Sequence, residues 1–317
     1  MLLGFFLCLI ISFIDLKFIE KISLYIYIIF LFLSTITVML GTISRGSMRW
    51  LTFNGFTFQP SELMKIGVII FLSFYIKKNI YNINEKKSFF KAFLIGFIPS
   101  LIVSLNNLST GIIIFFITFF LMLISTKRIM IFLISLFLFL FFYIFAYDIA
   151  YVFENTNLFK MYQLSRIFAW KKPTEHVDTM FQTLQGLYAI GSGGMFGRGL
   201  GESIQKSILP EVQNDMIFAI ICEELGVFGG ILLLFLYLLM IYRIFYISFL
   251  QTDLFYKFMT FGIAIHFALQ IILNVAVVTN LLPNTGINLP FVSYGGSSIV
   301  SSFIEIGIVI NISRETI

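Results

Sequence analysis

Three sets of residues in this chain of 317 have the types and spacing that chemistry needs. Glu62 and Lys65 stand three apart in Gln59-Pro-Ser-Glu-Leu-Met-Lys65, at the head of an apolar run, so a helix puts them on one face. Ionisable groups at membrane depth turn inward and pair, so they either lock helix packing or offer a cation to an anionic ligand. Asp215 sits where a long polar segment enters an apolar span, at the boundary of water and lipid. Partial desolvation there strengthens a carboxylate as a base, and Asp is equally a good helix cap; spacing alone leaves both readings open. Arg45, Arg49, Arg166, Arg198 and Lys206 could hold phosphate oxygens or snorkel to lipid headgroups. The runs Gly191-Ser-Gly-Gly194 with Gly197 and Gly199, and Ser293-Tyr-Gly295-Gly296-Ser-Ser298, either offer backbone N–H groups to an anion or let backbones pack closely.

The elements that must position these residues are membrane helices. Hydrophobic residues make up 59% of the chain and charged ones 12%, with a mean hydropathy of +0.98. Too few polar side chains exist to cover a water-soluble globule. A disordered chain, a disulfide scaffold and a nucleic-acid binder are excluded; Cys8 and Cys222 lie in apolar runs and read as small hydrophobes. The prediction is an all-α polytopic membrane protein forming a single domain over residues 1–317, with about nine spans of roughly 17–25 residues each. These fall near 1–18, 22–41, 61–76, 92–106, 109–125, 129–148, 215–241, 258–279 and 294–312, with a long loop over 149–214.

Lys17, Lys21, Lys77, Lys78, Lys86, Lys87, Lys91, Lys127, Arg128, Arg243, Lys257 and Arg314 share one side of this topology. The short loops of the other side hold only Arg45 and Arg49. The first side is therefore expected to be cytoplasmic, with the Gly- and Pro-punctuated strings and the 149–214 loop outside. The uncharged part of the first span is short, and an even topology would need a helix upstream, so one is expected to be missing.

The motifs resemble the SEDS family of bacterial cell-wall glycan polymerases, the RodA/FtsW/SpoVE-like proteins. Arg49-Trp50 with Gln59-Pro-Ser-Glu62, the Gly191–Gly199 glycines, Leu209-Pro-Glu211 with Asp215, Glu223-Glu-Leu-Gly226 and the Pro283–Ser298 block occur in the family's order. The family's pattern has ten spans, which agrees with an absent first helix. Many relatives carry an Asp before Leu-Gly-Thr where this chain reads Asn107-Leu-Ser-Thr110, so no acid is available in that loop.

The resemblance implies a peptidoglycan glycosyltransferase that joins lipid-linked disaccharide-peptide (lipid II) units at the outer face of the cytoplasmic membrane. A sugar hydroxyl attacks an anomeric carbon and a lipid pyrophosphate leaves. That chemistry asks for a base and for positive charge near the pyrophosphate. Asp215 is the expected catalytic base; Arg49, Glu62, Lys65, Arg198, Ser293, Gly295 and Gly296 are the expected substrate-binding residues. A divalent cation could assist the pyrophosphate, although no metal-ligand spacing occurs. The implied partners are lipid II, membrane lipids and a single-span class B penicillin-binding transpeptidase, with no nucleic acid. Division, elongation and sporulation branches are not separated.

Glu223, Glu224 and Glu305 lie within spans and each should face a partner or water, while His266 reads as a core histidine. Two other functions compete with the enzyme. A flippase for the lipid-linked precursor would use the intramembrane Glu62, Lys65, Glu223, Glu224 and Glu305. A scaffold for a penicillin-binding protein is the third.

Overall fold

The structure, a computed structural model, describes residues 1–44, 47–53, 56–154, 161–172, 175–208 and 213–315. Arg45 and the Leu209-Pro-Glu211 motif lie outside the described residues. Backbone contacts divide the chain into two compact units, Met1–Arg128 with Leu238–Gln270 and Tyr294–Ile317, and Ile129–Tyr237 with Ile271–Ser293.

The first unit begins with α1 (Leu2–Ile11) and α2 (Leu16–Leu40). The expected span 1–18 therefore stops at Ile11, and α2 starts six residues ahead of the expected 22. The reason is local: the Asp15 carboxylate accepts the Lys17 N–H at 2.9 Å and starts a new helix. The carbonyls left over at the end of α1 go to the last helix, α13 (Gly296–Glu315). Asn311 donates to Ile11 O at 2.8 Å and to Ile14 O at 2.6 Å, and Arg314 donates to Ser12 O at 3.3 Å. Small residues let α1 and α13 meet, since a Cβ at Gly307 would run into the Cys8 backbone.

Between α2 and α3 (Pro60–Lys78) lies a feature the sequence reading did not foresee, a three-stranded antiparallel sheet. Strands β1 (Thr42–Ser44), β2 (Ser47–Phe53) and β3 (Phe56–Phe58) pair in sequence order, with Ser44 opposite Ser47 and Leu51 opposite Phe58. The sheet carries Arg49 and delivers the chain to Pro60, which suits the first turn of α3 because its missing N–H has no helical partner there. Next come α4 (Lys86–Ser104) and α5 (Leu108–Ser125), where Asn107 caps α5 by accepting the Thr110 N–H. An Asp would make the same cap, so the missing carboxylate costs this loop no structure. Gly96 packs on Thr118 and Gly111 on Ser104, which brings α4 and α5 together. At the other end of α3, Lys77 bridges Glu20 at 2.8 Å and Asp253 at 2.9 Å.

The second unit holds α6 (Ile129–Ile144), α7 (Ala146–Glu154), α8 (Met161–Lys171), α9 (Val177–Gly193) and α10 (Gln205–Ile208). The expected span 129–148 breaks at Phe145, and the expected loop is largely helical where it is described. Two long helices, α11 (Ile217–Leu250) and α12 (Leu254–Val278), contribute a part to each unit. All nine expected spans contain a helix, and six of the described helices (α2, α4, α5, α11, α12 and α13) are long and apolar enough to cross a membrane. The chain is a multi-pass membrane protein. Helix α3 has the length but carries Glu62 and Lys65 near its start and Lys77 and Lys78 in its last turn.

Candidate functional site

In the first unit the expected pair is present and buried. Lys65 Nζ donates to Glu62 Oε2 at 3.0 Å, with Lys65 1% and Glu62 7% exposed. Neighbouring helices complete the shell. Gln270 of α12 accepts from Lys65 Nζ at 3.4 Å, and Ser301 of α13 donates to Glu62 Oε2 at 3.3 Å. Gln270 in turn reaches the Ser298 hydroxyl at 3.5 Å, while Ser297 accepts the Gln59 N–H at 3.1 Å. Burying both charges is costly, and breaking such a pair from one side is costlier still, typically about 3–5 kcal/mol. The arrangement therefore keeps an ammonium desolvated but neutralised, a state from which it can be drawn by a more negative partner. Gln270 was not anticipated; an amide inside an apolar helix was its only signal.

Arg49 is half-buried and donates from Nε to Asn106 O at 3.0 Å, which satisfies a carbonyl beyond the end of α4. It lines a small open cleft together with Ser34, Ser61, Asn106 and Asn107. Neither Glu62 nor Lys65 lines that cleft. Gly295 is buried and its carbonyl accepts the Ile299 N–H in the first turn of α13. Gly296 is exposed, and a Cβ there would meet open space.

In the second unit Asp215 lies two residues ahead of Ile217, the first residue of α11, and is 6% exposed. Its Oδ1 accepts from Gln182 Nε2 of α9 at 3.1 Å. The Gln182 side-chain oxygen accepts from Asn284 Nδ2 at 3.0 Å, and the Asn284 carbonyl accepts from Arg166 at 3.1 Å. Asn274 ties the backbone, donating to Asp215 O at 2.9 Å and Ile287 O at 2.7 Å. The carboxylate is thus oriented by an amide whose flip is set by a second amide. Gln182 and Asn274 were missed because neither belongs to a short motif; Asn284 lies within the Pro283–Ser298 block but was not singled out there, and the three converge only through the fold. Ser293 is buried, and its hydroxyl accepts the Leu289 N–H at 2.6 Å, closing the turn around Phe291. Phe291 holds a φ of 61°, rare for a bulky residue, while Tyr237 donates to the preceding carbonyl of Pro290 at 2.6 Å.

The glycine run has a definite structural use. Helix α11 breaks at Gly226, whose φ of 72° leaves the helical region. The break opens the rungs that would join Val227 to Glu223 and Phe228 to Glu224. The 194–199 backbone inserts and completes both halves. Val227 N donates to Gly194 O at 2.9 Å and Phe228 N to Met195 O at 3.3 Å; Arg198 N donates to Glu223 O at 2.9 Å and Gly199 N to Glu224 O at 3.0 Å. A Cβ at Gly193, Gly197 or Gly226 would strike the backbone of Cys222, Glu224 or Met195. Of the two readings of these glycines, close packing is the one the geometry carries. Arg198 is exposed, and its Nε makes a long bond of 3.5 Å to Ser192 O. Glu223 is fully buried and accepts from Ser203 Oγ at 2.5 Å and from the N–H groups of Ile204 and Gln205 at 3.2 and 3.3 Å, so it caps α10.

The described residues contain no group of three or more His, Cys, Asp or Glu side chains placed to hold a metal ion. What they offer is a buried, amide-held carboxylate in one unit and a neutralised buried ammonium in the other. The first can take a proton and the second can meet a phosphate oxygen.

A family model described as "Cell cycle protein" (FtsW/RodA/SpoVE) matches residues 1–317. Stage V sporulation protein E of Bacillus subtilis (strain 168) is 37% identical over 278 residues, 86% of this chain and 73% of that protein. The "Probable peptidoglycan glycosyltransferase FtsW" of Buchnera aphidicola subsp. Schizaphis graminum is 35% identical over 325 residues, 98% of this chain and 88% of its own. Among solved structures, a chain from work on the structural coordination of polymerization and crosslinking by a peptidoglycan synthase complex superposes with a TM-score of 0.78 at 22% identity, covering 99% of this chain and 87% of that one. The rod shape determining protein RodA of Thermus thermophilus superposes with a TM-score of 0.69 at 22% identity, covering 99% and 84%. By this match along its whole length, the chain belongs to the FtsW/RodA/SpoVE family.

Proposed function

We propose that the protein is a peptidoglycan glycosyltransferase that polymerises lipid II at the outer face of the cytoplasmic membrane. The observation that carries this reading is the Asp215 carboxylate, buried ahead of α11 and held by Gln182, in a family whose curated relatives bear that activity in their names. Asp215 takes the proton of the attacking sugar hydroxyl. Lys65, released in part from Glu62, meets the pyrophosphate of the donor, and Arg49 at its cleft holds phosphate or sugar oxygens. The pyrophosphate leaves as a stable anion, so no general acid is required. The outward placement rests on the Lys/Arg distribution. A class B penicillin-binding transpeptidase is the expected partner, in keeping with the fold's likeness to a chain of a synthase complex that couples polymerization to crosslinking.

One observation favours a second reading. The first unit buries Glu62, Lys65, His266 and Glu305 within its helices, as a route for a polar headgroup would require. A single experiment separates the two. Purified protein in detergent is given lipid-linked precursor and scored for glycan polymer by gel. Detergent removes sidedness, so polymer formed there identifies the enzyme; its absence from folded wild-type protein, with flipping retained in vesicles, identifies the transporter.

A further inference from the structure

His266 and Glu305 are both 0% exposed, and His266 Nδ1 lies 2.8 Å from Glu305 Oε2. The contact joins α12 to α13 inside the first unit. Its position in the two helices is specific. Gln270, the α12 residue bonded to Lys65, is one turn along from His266, four residues later. Ser301, the α13 residue bonded to Glu62, is one turn before Glu305, four residues earlier. Residues four apart stand above one another on a helix face. The His266–Glu305 contact therefore forms the next layer of the same seam that completes the Lys65–Glu62 shell.

The pair is a poor choice for stability. His266 Nε2 and Glu305 Oε1 are buried without a hydrogen-bond partner among the described residues. Apolar side chains of similar volume would fill the seam without stranding either atom. A slide of α12 against α13 breaks a directional polar contact but only blurs an apolar one. Fixing register is the best-attested use of such buried polar groups. We propose that His266 and Glu305 are positioning residues, which set α12 against α13 so that Gln270 and Ser301 stay on the Lys65–Glu62 pair. Neither touches substrate. The effect on catalysis rests on the polymerase reading; the effect on Lys65 does not.

The test compares Glu305→Leu, Glu305→Gln and His266→Leu in purified full-length protein. Gln can still hydrogen-bond the imidazole; either Leu cannot. Lys65 is acylated with a membrane-permeant amine reagent and its peptide quantified by mass spectrometry, with exposed Lys87 as the reference. Both Leu variants should raise Lys65 labelling at least about tenfold, while Glu305→Gln stays at the parent level. In the polymer assay the Leu variants should show a several-fold higher KM for lipid-linked donor at little-changed kcat, with Glu305→Gln again like the parent. Folded Leu variants in which Lys65 stays protected would overturn the proposal, as would a Gln variant as exposed as the Leu ones. If Glu305→Leu does not fold, His266→Leu breaks the same contact from the other helix and decides by the same readings. If the parent makes no polymer, the polymerase reading fails alone, and the labelling still judges this one.

Discussion

Gln182 donates its side-chain N–H to Asp215 Oδ1 at 3.1 Å, joining α9 to the residue that introduces α11. The bond cannot be read from either local sequence, since 33 positions separate the partners. It gives Asp215 a fixed direction, set by a side chain of α9.

Asp215→Asn keeps the size of the side chain and its capacity to cap but removes the base. Polymer per folded molecule should fall by roughly 10²-fold or more. Gln182→Leu leaves the carboxylate in place without its amide; losing a hydrogen bond to a charged group costs about 1.5–3 kcal/mol. It should therefore lower kcat by on the order of 10–100-fold. Size-exclusion fluorescence reports the folded fraction. Near-parent polymerisation by Asp215→Asn would reduce that residue to a cap and make Glu62 the next candidate base.

Lys65→Met leaves Glu62 buried and unpaired, and should destabilise the protein by about 3–5 kcal/mol. Adding Glu62→Gln removes the orphaned charge, so the double variant should regain much of the lost thermal stability while remaining unable to polymerise. Thermal unfolding followed beside polymer yield separates these effects. A double variant that regains both stability and activity would confine the pair to packing.

The glycines sort by what a Cβ would meet. Gly197→Ala meets the Glu224 backbone from a φ of 80°, and should cost upward of about 1–3 kcal/mol. Gly191→Ala meets nothing within 4 Å and lies in α9, so stability should be unchanged or higher by up to about 1 kcal/mol. Activity should follow stability in both. An active-site nest predicts the reverse signature for Gly197, a folded but inactive protein.

Much of this architecture was legible from charge and hydropathy alone, because lipid forces each apolar run into a helix. Glu62 and Lys65 were legible too, since their spacing and their apolar surroundings demanded a partner. What escaped depends on distant segments. The strands over residues 42–44, 47–53 and 56–58 are short, without the long alternation that marks a strand. Gln182, Gln270 and Asn274 are amides outside any motif, and Asn284 lies in a motif block that gives no sign of its partner; their contacts around Asp215 or Lys65 exist only once the fold brings them together. His266, read as an ordinary core residue, is buried as expected, but its Glu305 partner is 39 positions away.

The orientation of the whole site relative to the membrane is open to a direct test. Ser192 is exposed near the end of α9, and Lys87 is exposed in the first turn of α4. Lys87 is preferable to nearby Asn84, whose side chain and carbonyl accept from Lys127 N at 2.8 Å and from Arg128 Nε at 3.1 Å. Cys8 and Cys222 are buried and unbridged, so native thiols add little background. In intact cells an impermeant maleimide should label Ser192→Cys and leave Lys87→Cys untouched until the membrane is opened. The positive-inside distribution requires this result, and so does a reaction in which Asp215, close in sequence to Ser192, meets its lipid-linked donor on the outer side. Labelling of Lys87→Cys alone would invert the topology and move the chemistry to the cytoplasmic face; labelling of both in intact cells would show that the segment between them crosses the membrane an even number of times.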